Sequence, residues 1–302
     1  MSLFRNLIMH IRNQVGGRRL HLFLTLFFAL TFWGQVSGQG LQTEQTLEGI
    51  KVKEDGKEVL FYQVKPKSVA GKYQRSGYVH PLYGLNGELF TEDAPADHPY
   101  HRGVFWAWHQ VLLNGNNSAD GWVSENISWE VVKVSTRKNK GKARINAVVH
   151  WNWFDSATAS TKTILKETTS ITIHKANEQY RQIDFNIHLL PLVDSVALGG
   201  SADEKGYGGF CVRLKLPDDI VFSSASGAIT PVETAVEAAP WMRFSGTFDT
   251  TGKNKSSLVV LNTGKDAGKQ QKWILRKKKS MQNIVYPGNV AQVLPREGWK
   301  LA

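Results

Sequence analysis

Hydrophobic and polar residues alternate with a period of two along most of the chain after residue 40. This alternation, rich in β-branched and aromatic residues, is typical of strands that bury one face. It predicts strands over residues 58–64, 104–109, 145–151, 170–174, 180–189 and 257–261. No long segment has the 3.6-residue period of an amphipathic helix, so the sequence predicts an all-β protein.

Turn-forming residues separate the predicted strands. Gly, Asn and Asp at 54–57, 85–88, 113–116 and 138–141 tolerate the positive φ angles of tight hairpins. Short strands joined by hairpins are typical of antiparallel sandwiches and barrels. We therefore predict a single large antiparallel β-sandwich over residues 39–302. The alternative, a division into two domains, would fall in the Gly-rich stretch 198–209.

The amino terminus has the pattern of an export signal. Arg12, Arg18 and Arg19 precede the apolar run 20–33, and small residues follow at 36–38. We predict a signal peptide over residues 1–38 and a periplasmic or secreted location. A transmembrane anchor is the alternative, but an apolar run of about 14 residues is shorter than the roughly 20 that a spanning helix needs. No later segment is apolar enough to span a membrane.

Charge and cysteine content narrow the classes of partner. The formal net charge is +11 and falls to about +7 without the four leader arginines. The basic runs 137–142 and 272–279 lack the interleaved aromatic residues of single-strand binders, so no nucleic-acid partner is expected. Cys211 is the only cysteine, which excludes an intrachain disulfide. Its apolar neighbours predict a small buried residue of a strand.

The candidate chemistry is concentrated in the segment 97–103, with the sequence DHPYHRG. Imidazoles, a carboxylate and a guanidinium in one loop can bind an oxyanion, a metal or sugar hydroxyls. On a straight strand His98 and His101 would point to opposite faces. They can converge only if the loop turns, which Pro99 and Gly103 favour.

A third histidine, His109, follows on the next predicted strand. The period of two places His109 on one face of that strand and Trp106 on the other. The spacing of the three histidines fits neither H-x-H nor HExxH, so we predict no metal ligands and expect the imidazoles to bind a sugar by hydrogen bonds.

A second polar segment, 203–213, combines acidic and basic residues with three closely spaced glycines. The glycines indicate close backbone approach, while Lys205 and Arg213 offer acid–base and anion-binding groups. No predicted helix follows, so this is not a phosphate-binding loop. A plain turn between two strands is the alternative reading.

Arg102 and the tryptophans complete the candidate site. Arg102 suits a carboxylate or diol clamp, and an ion pair with Asp97 or Glu92 is the equally favoured alternative. Tryptophans are dense in the chain and stack well on the apolar faces of pyranose rings. Trp106 and Trp241 are the candidates for such stacking.

The segments 91–103, 205–213 and 273–288 resemble the bacterial family labelled methane oxygenase PmoA-like, over roughly residues 75–302. Its usual D-H-P-H-H-R-G motif has Tyr100 here in place of the central histidine, which weakens a three-histidine metal site. The family is similar to galactose-mutarotase-like β-sandwiches, the supersandwich type. These bind sugars in a cleft through histidines, an arginine and a carboxylate. The resemblance also implies that the final strand of this chain is truncated.

Together these observations predict an exported carbohydrate-active protein. Three residues are predicted to be catalytic: His98, His101 and Lys205. Five are predicted to bind the substrate: Arg102, Trp106, His109, Arg213 and Trp241. No metal and no cofactor are predicted, and a catalysed reaction would be epimerisation, hydrolysis or elimination on a sugar. The alternatives are a non-catalytic carbohydrate-binding module and the metal-dependent oxygenase that the family label suggests. The sugar and the oligomeric state stay open.

Overall fold

The computed structural model describes residues 39–264, 270–278 and 281–301, and within them the chain forms strands and turns without a helix. The prediction of an all-β protein is therefore confirmed. The predicted signal peptide lies outside the described residues. No helix with the length and hydropathy of a membrane span occurs in the described ranges.

The described residues form 24 strands. In chain order they are β1 (Leu41–Gln45), β2 (Gly49–Glu54), β3 (Lys57–Gln63), β4 (Lys67–Val69), β5 (Lys72–Arg75), β6 (Tyr78–Leu82), β7 (Val104–Trp108), β8 (Gln110–Leu113), β9 (Asn116–Ala119), β10 (Ile127–Asn139), β11 (Lys142–Asp155), β12 (Ser160–His174), β13 (Ile183–Pro191), β14 (Val196–Gly199), β15 (Gly208–Arg213), β16 (Val221–Ser224), β17 (Gly227–Ile229), β18 (Val236–Ala238), β19 (Trp241–Gly246), β20 (Ser256–Leu261), β21 (Gln271–Ile274), β22 (Met281–Val285), β23 (Gln292–Val293) and β24 (Trp299–Leu301).

Two antiparallel sheets make up the body of the fold. The large sheet has nine strands in the order β1-β2-β3-β6-β7-β15-β22-β21-β18, and the second sheet has five in the order β10-β11-β12-β13-β24. Leu60 and Trp106 of the large sheet share one hydrophobic core with Trp151 and Ile171 of the second sheet. This confirms the predicted antiparallel sandwich. Two four-stranded sheets, β23-β14-β8-β9 and β17-β16-β19-β20, and the hairpin β4-β5 complete the fold.

The predicted hairpins carry the expected backbone geometry. Asp55 and Gly56 have φ angles of 49° and 82°, and Asn114 and Gly115 have φ angles of 50° and 80°. The strand predicted over 180–189 begins later, at Ile183. The side chain of Asn177 accepts the backbone N–H groups of residues 179 and 180, which holds that stretch in a turn.

Strands β7 and β15 pair near the middle of the large sheet, and their alternation gives the sheet two different faces. Trp106 points into the core between the sheets. Phe105 lies opposite Cys211 in the register and both point the other way, into a smaller cluster that contains Trp122. We call this second side the outer face. Cys211 is fully buried there, as predicted.

Candidate functional site

The loop before β7 turns twice and brings two imidazoles together. The N–H of His98 donates to the Pro95 carbonyl at 3.1 Å, and the N–H of His101 donates to the His98 carbonyl at 2.9 Å. The two rings are consequently stacked, with centroids 4.6 Å apart and planes 5° apart. At Gly103 any Cβ would overlap the Val79 carbonyl oxygen, so glycine is required for β7 to lie beside β6.

Arg213, the last residue of β15, holds this loop by hydrogen bonds. Its backbone N–H donates to the Gly103 carbonyl at 2.8 Å. Its Nε donates to Glu92 at 3.0 Å, Nη1 contacts Nδ1 of His101 at 3.1 Å, and Nη2 donates to both carboxylate oxygens of Asp97 at 2.9 and 3.1 Å. The side chain is only 3% exposed. Arg213 therefore holds the loop in place, and every nitrogen of its guanidinium is used.

The contact with Arg213 defines the chemical state of His101. A guanidinium can only donate, so Nδ1 of His101 accepts and the ring proton sits on Nε2. Burial, together with the nearby Arg213 charge, lowers the pKa of His101 to about 2. His101 is thus a neutral hydrogen-bond donor near neutral pH. Its Nε2 has no hydrogen-bond partner among the described residues.

Asp97 and His98 form a carboxylate–imidazole pair at the surface. Nδ1 of His98 lies 2.9 Å from Oδ2 of Asp97, and the two side chains are 24% and 36% exposed. Partial burial opposes ionisation of Asp97, but hydrogen bonds from His98 and Arg213 outweigh it and lower the pKa of this carboxyl group. Because Nδ1 is directed at the carboxylate, Nε2 of neutral His98 keeps a free lone pair that can accept a proton.

A second carboxylate–imidazole pair lies on the other side of Trp122. Nδ1 of His109 is 2.8 Å from Oδ2 of Asp120. The His109 ring stacks on Trp122 with 5.1 Å between centroids, and Trp122 meets the His101 ring edge-on at 5.8 Å. The backbone N–H of Trp122 donates to Asp120 at 2.8 Å, which orients the carboxylate. The structure thereby joins His109 to His98 and His101 through one indole ring.

Tyrosines surround this arrangement. Tyr100 packs against His101 at 4.8 Å and against Tyr73 at 5.7 Å, and Tyr207 packs against Trp122 at 5.4 Å. Burial raises the pKa of Tyr100, and the charges of both Asp97 and Asp120 add to the effect. Tyr100 therefore lies within electrostatic reach of both carboxylates. We call the following residues the imidazole cluster: Asp97, His98, Tyr100, His101, His109, Asp120, Trp122, Tyr207 and Arg213.

Arg102, predicted to bind the substrate, is buried, and its guanidinium is bonded to protein groups. Its side chain is 1% exposed. Nη1 donates to Asp93 at 3.3 Å, and Nη2 donates to the carbonyls of Lys67 and Tyr73 at 3.2 and 2.6 Å. The ion-pair alternative is the correct one, with Asp93 rather than Asp97 or Glu92 as partner. Arg102 anchors the hairpin β4-β5 to the loop.

Trp106, predicted to stack on a sugar, is buried in the interior of the sandwich. Trp106 is 1% exposed, lies in the core between the sheets and donates from Nε1 to Glu167 at 2.8 Å. It therefore cannot stack on a ligand at the outer face. Trp241 lies in β19, in a different sheet, and shares no ring contact or hydrogen bond with the imidazole cluster.

Lys205 lies on the loop that connects β14 and β15. Its backbone N–H donates to Asp203 at 3.2 Å, and Asp203 also accepts from the Ser201 hydroxyl, which closes the loop as a turn. Tyr207 connects this loop to the imidazole cluster through its contact with Trp122. The two polar segments of the sequence are therefore neighbours in space.

Several residues of the cluster are not singled out by the sequence. Asp97 is visible beside His98 in the motif, and a carboxylate next to a histidine is a usable signal. Asp120 and Trp122 reach His109 through the hairpin β8-β9, which the pattern of single residues does not show. Tyr207 gives no signal either, because only the pairing of β15 with β7 brings it to the histidines.

The rest of the described surface offers weaker candidates. One pocket lies beside Asp55 and Lys175 and another beside Phe61 and Tyr83, and neither shares a residue with the imidazole cluster or contains a histidine. In the described ranges, no three His, Cys, Asp or Glu side chains are grouped as metal ligands. The imidazole cluster is the best candidate because it combines titratable groups with partly exposed aromatic rings.

Comparison with known proteins gives one match. A model described as "Family of unknown function (DUF6807)" matches residues 49–301. No curated protein and no solved structure matches the chain. The family description names no activity, so the resemblance to the PmoA-like family stays a prediction, and the functional argument rests on the residues themselves.

Proposed function

We propose that this chain, which belongs to the DUF6807 family of unknown function, is an exported carbohydrate-active protein whose imidazole cluster binds a saccharide. The observation that carries the proposal is the stacked pair His98 and His101, held 4.6 Å apart with opposite hydrogen-bonding character. His98, whose side chain is 24% exposed, has an accepting Nε2 beside its carboxylate, and His101, which is 4% exposed, has a donating Nε2–H without a partner among the described residues. Neighbouring hydroxyls of one sugar ring both donate and accept, so they match such a pair.

The aromatic residues support the same ligand class. Tyr100, Tyr73 and Tyr207 are partly exposed around the histidines. A tyrosine offers an apolar ring face to the C–H groups of a pyranose and a hydroxyl to its polar edge. Sites for small ligands usually consist of aromatic and apolar side chains with a small number of precisely placed polar groups.

The chemistry available at this site is proton transfer by imidazole. His98, backed by Asp97, is the proposed general base, and neutral His101 is the proposed donor to the oxygen on which negative charge develops. His109, paired with Asp120, is a further imidazole that can return a proton to the sugar. Epimerisation and elimination fit this set of groups.

Hydrolysis by a pair of carboxyl groups fits less well. That reaction needs one carboxyl group that stays protonated as the general acid. Hydrogen bonds from His98 and Arg213 lower the pKa of Asp97 despite its partial burial, so Asp97 is ionised at neutral pH. Within the proposal, the carboxylates orient imidazoles and the imidazoles move protons.

The proposal is tested by thermal denaturation of the purified protein with neutral and amino sugars. A ligand at a hundred times its Kd stabilises the folded state by about 2.7 kcal/mol, which is readily measured. We expect a sugar-dependent rise in Tm that His98→Ala reduces to about half, as a tenfold loss of affinity requires, and that His150→Ala, on the second sheet, retains. A panel without any rise, or a rise that His98→Ala leaves intact, contradicts the proposal. A rise with copper or iron alone, lost in His98→Ala, favours the metal-dependent oxygenase instead.

A further inference from the structure

The arginines around the imidazole cluster are already bonded to protein groups and cannot also pair with an acidic ligand. Arg213 is saturated by Glu92, Asp97 and His101. Arg102 is 1% exposed, and its charge is balanced by Asp93. A carboxylate on a sugar therefore finds no free guanidinium fork here, although both arginines were expected to hold acidic oxygens.

Two further cations of this side are also engaged. Arg276 donates from Nε to the Tyr207 hydroxyl at 3.0 Å and from its other nitrogens to backbone carbonyls. Lys67 pairs with Asp93 at 2.8 Å. Lys205, which lies outside the imidazole cluster, is bonded to Asp203 only through its backbone N–H, and its ammonium group has no ion pair among the described residues.

The carboxylates, in contrast, are not all neutralised. Asp120 accepts from two backbone N–H groups and from His109, and no lysine or arginine of the described ranges lies within ion-pair distance of it. Its side chain is 26% exposed. Asp97 and Glu92 are 36% and 35% exposed and share the single charge of Arg213. The site thus carries excess negative charge on a chain whose formal net charge is +11.

We infer that the imidazole cluster selects saccharides that carry a protonated amine and excludes saccharides that carry a carboxylate. This inference rests on the proposed function and specifies its substrate class. An ammonium group has three donors and no acceptor, which suits exposed carboxylate oxygens that have no cationic partner. Tyr100, which packs edge-on against His98 and His101 at 5.6 and 4.8 Å, adds an aromatic ring against which a cation can lie.

The test is calorimetric titration with sugars that differ in one substituent. Glucosamine, glucose and glucuronic acid form one series, and galactosamine, galactose and galacturonic acid form a second. At about pH 7 and low salt we expect the amino sugar of the better series to bind about fivefold or more tightly than the neutral sugar. We expect the uronic acid to bind about tenfold or more weakly than the neutral sugar.

Two variants locate the effect. Asp120→Asn keeps the oxygen that accepts from Trp122 and removes the charge, so the amino sugar should lose more affinity than the neutral sugar and the preference for the amine should disappear. Glu130→Gln, an exposed carboxylate on β10, makes the same charge change elsewhere and should retain the preference. If Asp120→Asn fails to fold, the salt dependence of sugar binding by the unmodified protein is measured instead. Between about 50 and about 500 mM NaCl the preference of the unmodified protein should shrink severalfold.

The outcomes separate the two proposals. Uronic acids that bind as tightly as the neutral sugars overturn the inference and leave saccharide binding intact. An amine preference that survives Asp120→Asn, or one that does not change with salt, overturns it as well. Absence of binding by every member of both series contradicts the proposed function itself.

Discussion

Arg75 and Arg213 are both buried arginines at strand ends, but they lie in different surroundings. Arg75 is 2% exposed and Arg213 is 3% exposed. Arg75 donates to backbone carbonyls and lies over the Trp129 ring at 3.9 Å. Arg213 donates to side chains that titrate, His101 and Asp97 among them. Although the two arginines are equally buried, Arg75 contributes to packing and Arg213 positions titratable side chains.

The polar groups around Arg75 are buried away from solvent. Nearby Glu167, which forms no direct ion pair with Arg75, accepts from the indole N–H groups of Trp106 and Trp151 and from the Thr169 hydroxyl. Burial raises the pKa of Glu167, as expected for a carboxyl group removed from water. In the imidazole cluster, polar edges remain exposed. A buried charge therefore indicates a functional site only where its partners also reach solvent.

The largest effect is expected inside the sandwich. Glu167→Ala leaves the indole N–H groups of Trp106 and Trp151 and the Thr169 hydroxyl without their acceptor. The free energy of unfolding should fall by about 3–5 kcal/mol, because each buried donor left unsatisfied costs about 1–3 kcal/mol. Urea denaturation followed by tryptophan fluorescence measures the change. A loss below about 1 kcal/mol would show that these buried polar groups are not a stabilising network.

Arg213→Met should have the next largest effect on stability. It frees Glu92 and Asp97, but both are about one-third exposed and regain water, so the expected loss is about 1–3 kcal/mol. Removal of the Arg213 charge should also raise the pKa of His101, which burial alone then keeps low. Histidine ring NMR measures that pKa. If the His101 resonance does not change, the contact with Arg213 is not what keeps the ring proton of His101 on Nε2.

The pH dependence of stability gives an effect that is spread over several pH units. The pKa of His101 is about 2 in the folded protein against 6.5 for the free side chain. Between these values the unfolded chain binds the extra proton, so this contribution to stability is complete above pH 6.5 and is lost as pH falls towards 2. The slope is at most about 1.4 kcal/mol per pH unit. His101→Gln should show a shallower slope, and equal slopes would contradict a neutral buried His101.

The smallest effect on stability is expected at the surface of the same cluster. His98→Ala removes a side chain that is 24% exposed, so the free energy of unfolding should change by about 0.5 kcal/mol or less. Sugar affinity should nevertheless fall about tenfold, because His98 presents a free Nε2. Calorimetric titration beside urea denaturation separates the two quantities. A large stability loss without any change in affinity would assign His98 to the scaffold.

Local pattern accounts for the strands and for part of the site. The period of two, continued to His109 just after β7, already directs Trp106 and His109 to opposite sides, so a stacking role for Trp106 beside the histidines conflicts with that pattern. The turn at Pro99 and Gly103 was visible as well. The bond between Arg213 and His101 was not, because it joins residues 112 positions apart and depends on the pairing of β7 with β15.

The most direct test of the central claim is a histidine ring NMR titration of the isotopically labelled protein with the sugar that binds best. Saccharide binding at the imidazole cluster predicts that the ring resonances of His98, His101 and His109 shift together with saturating ligand. His150 and His188, on the second sheet, should stay unchanged. Shifts at His150 or His188 with none in the cluster would place binding elsewhere and contradict the assignment of the site.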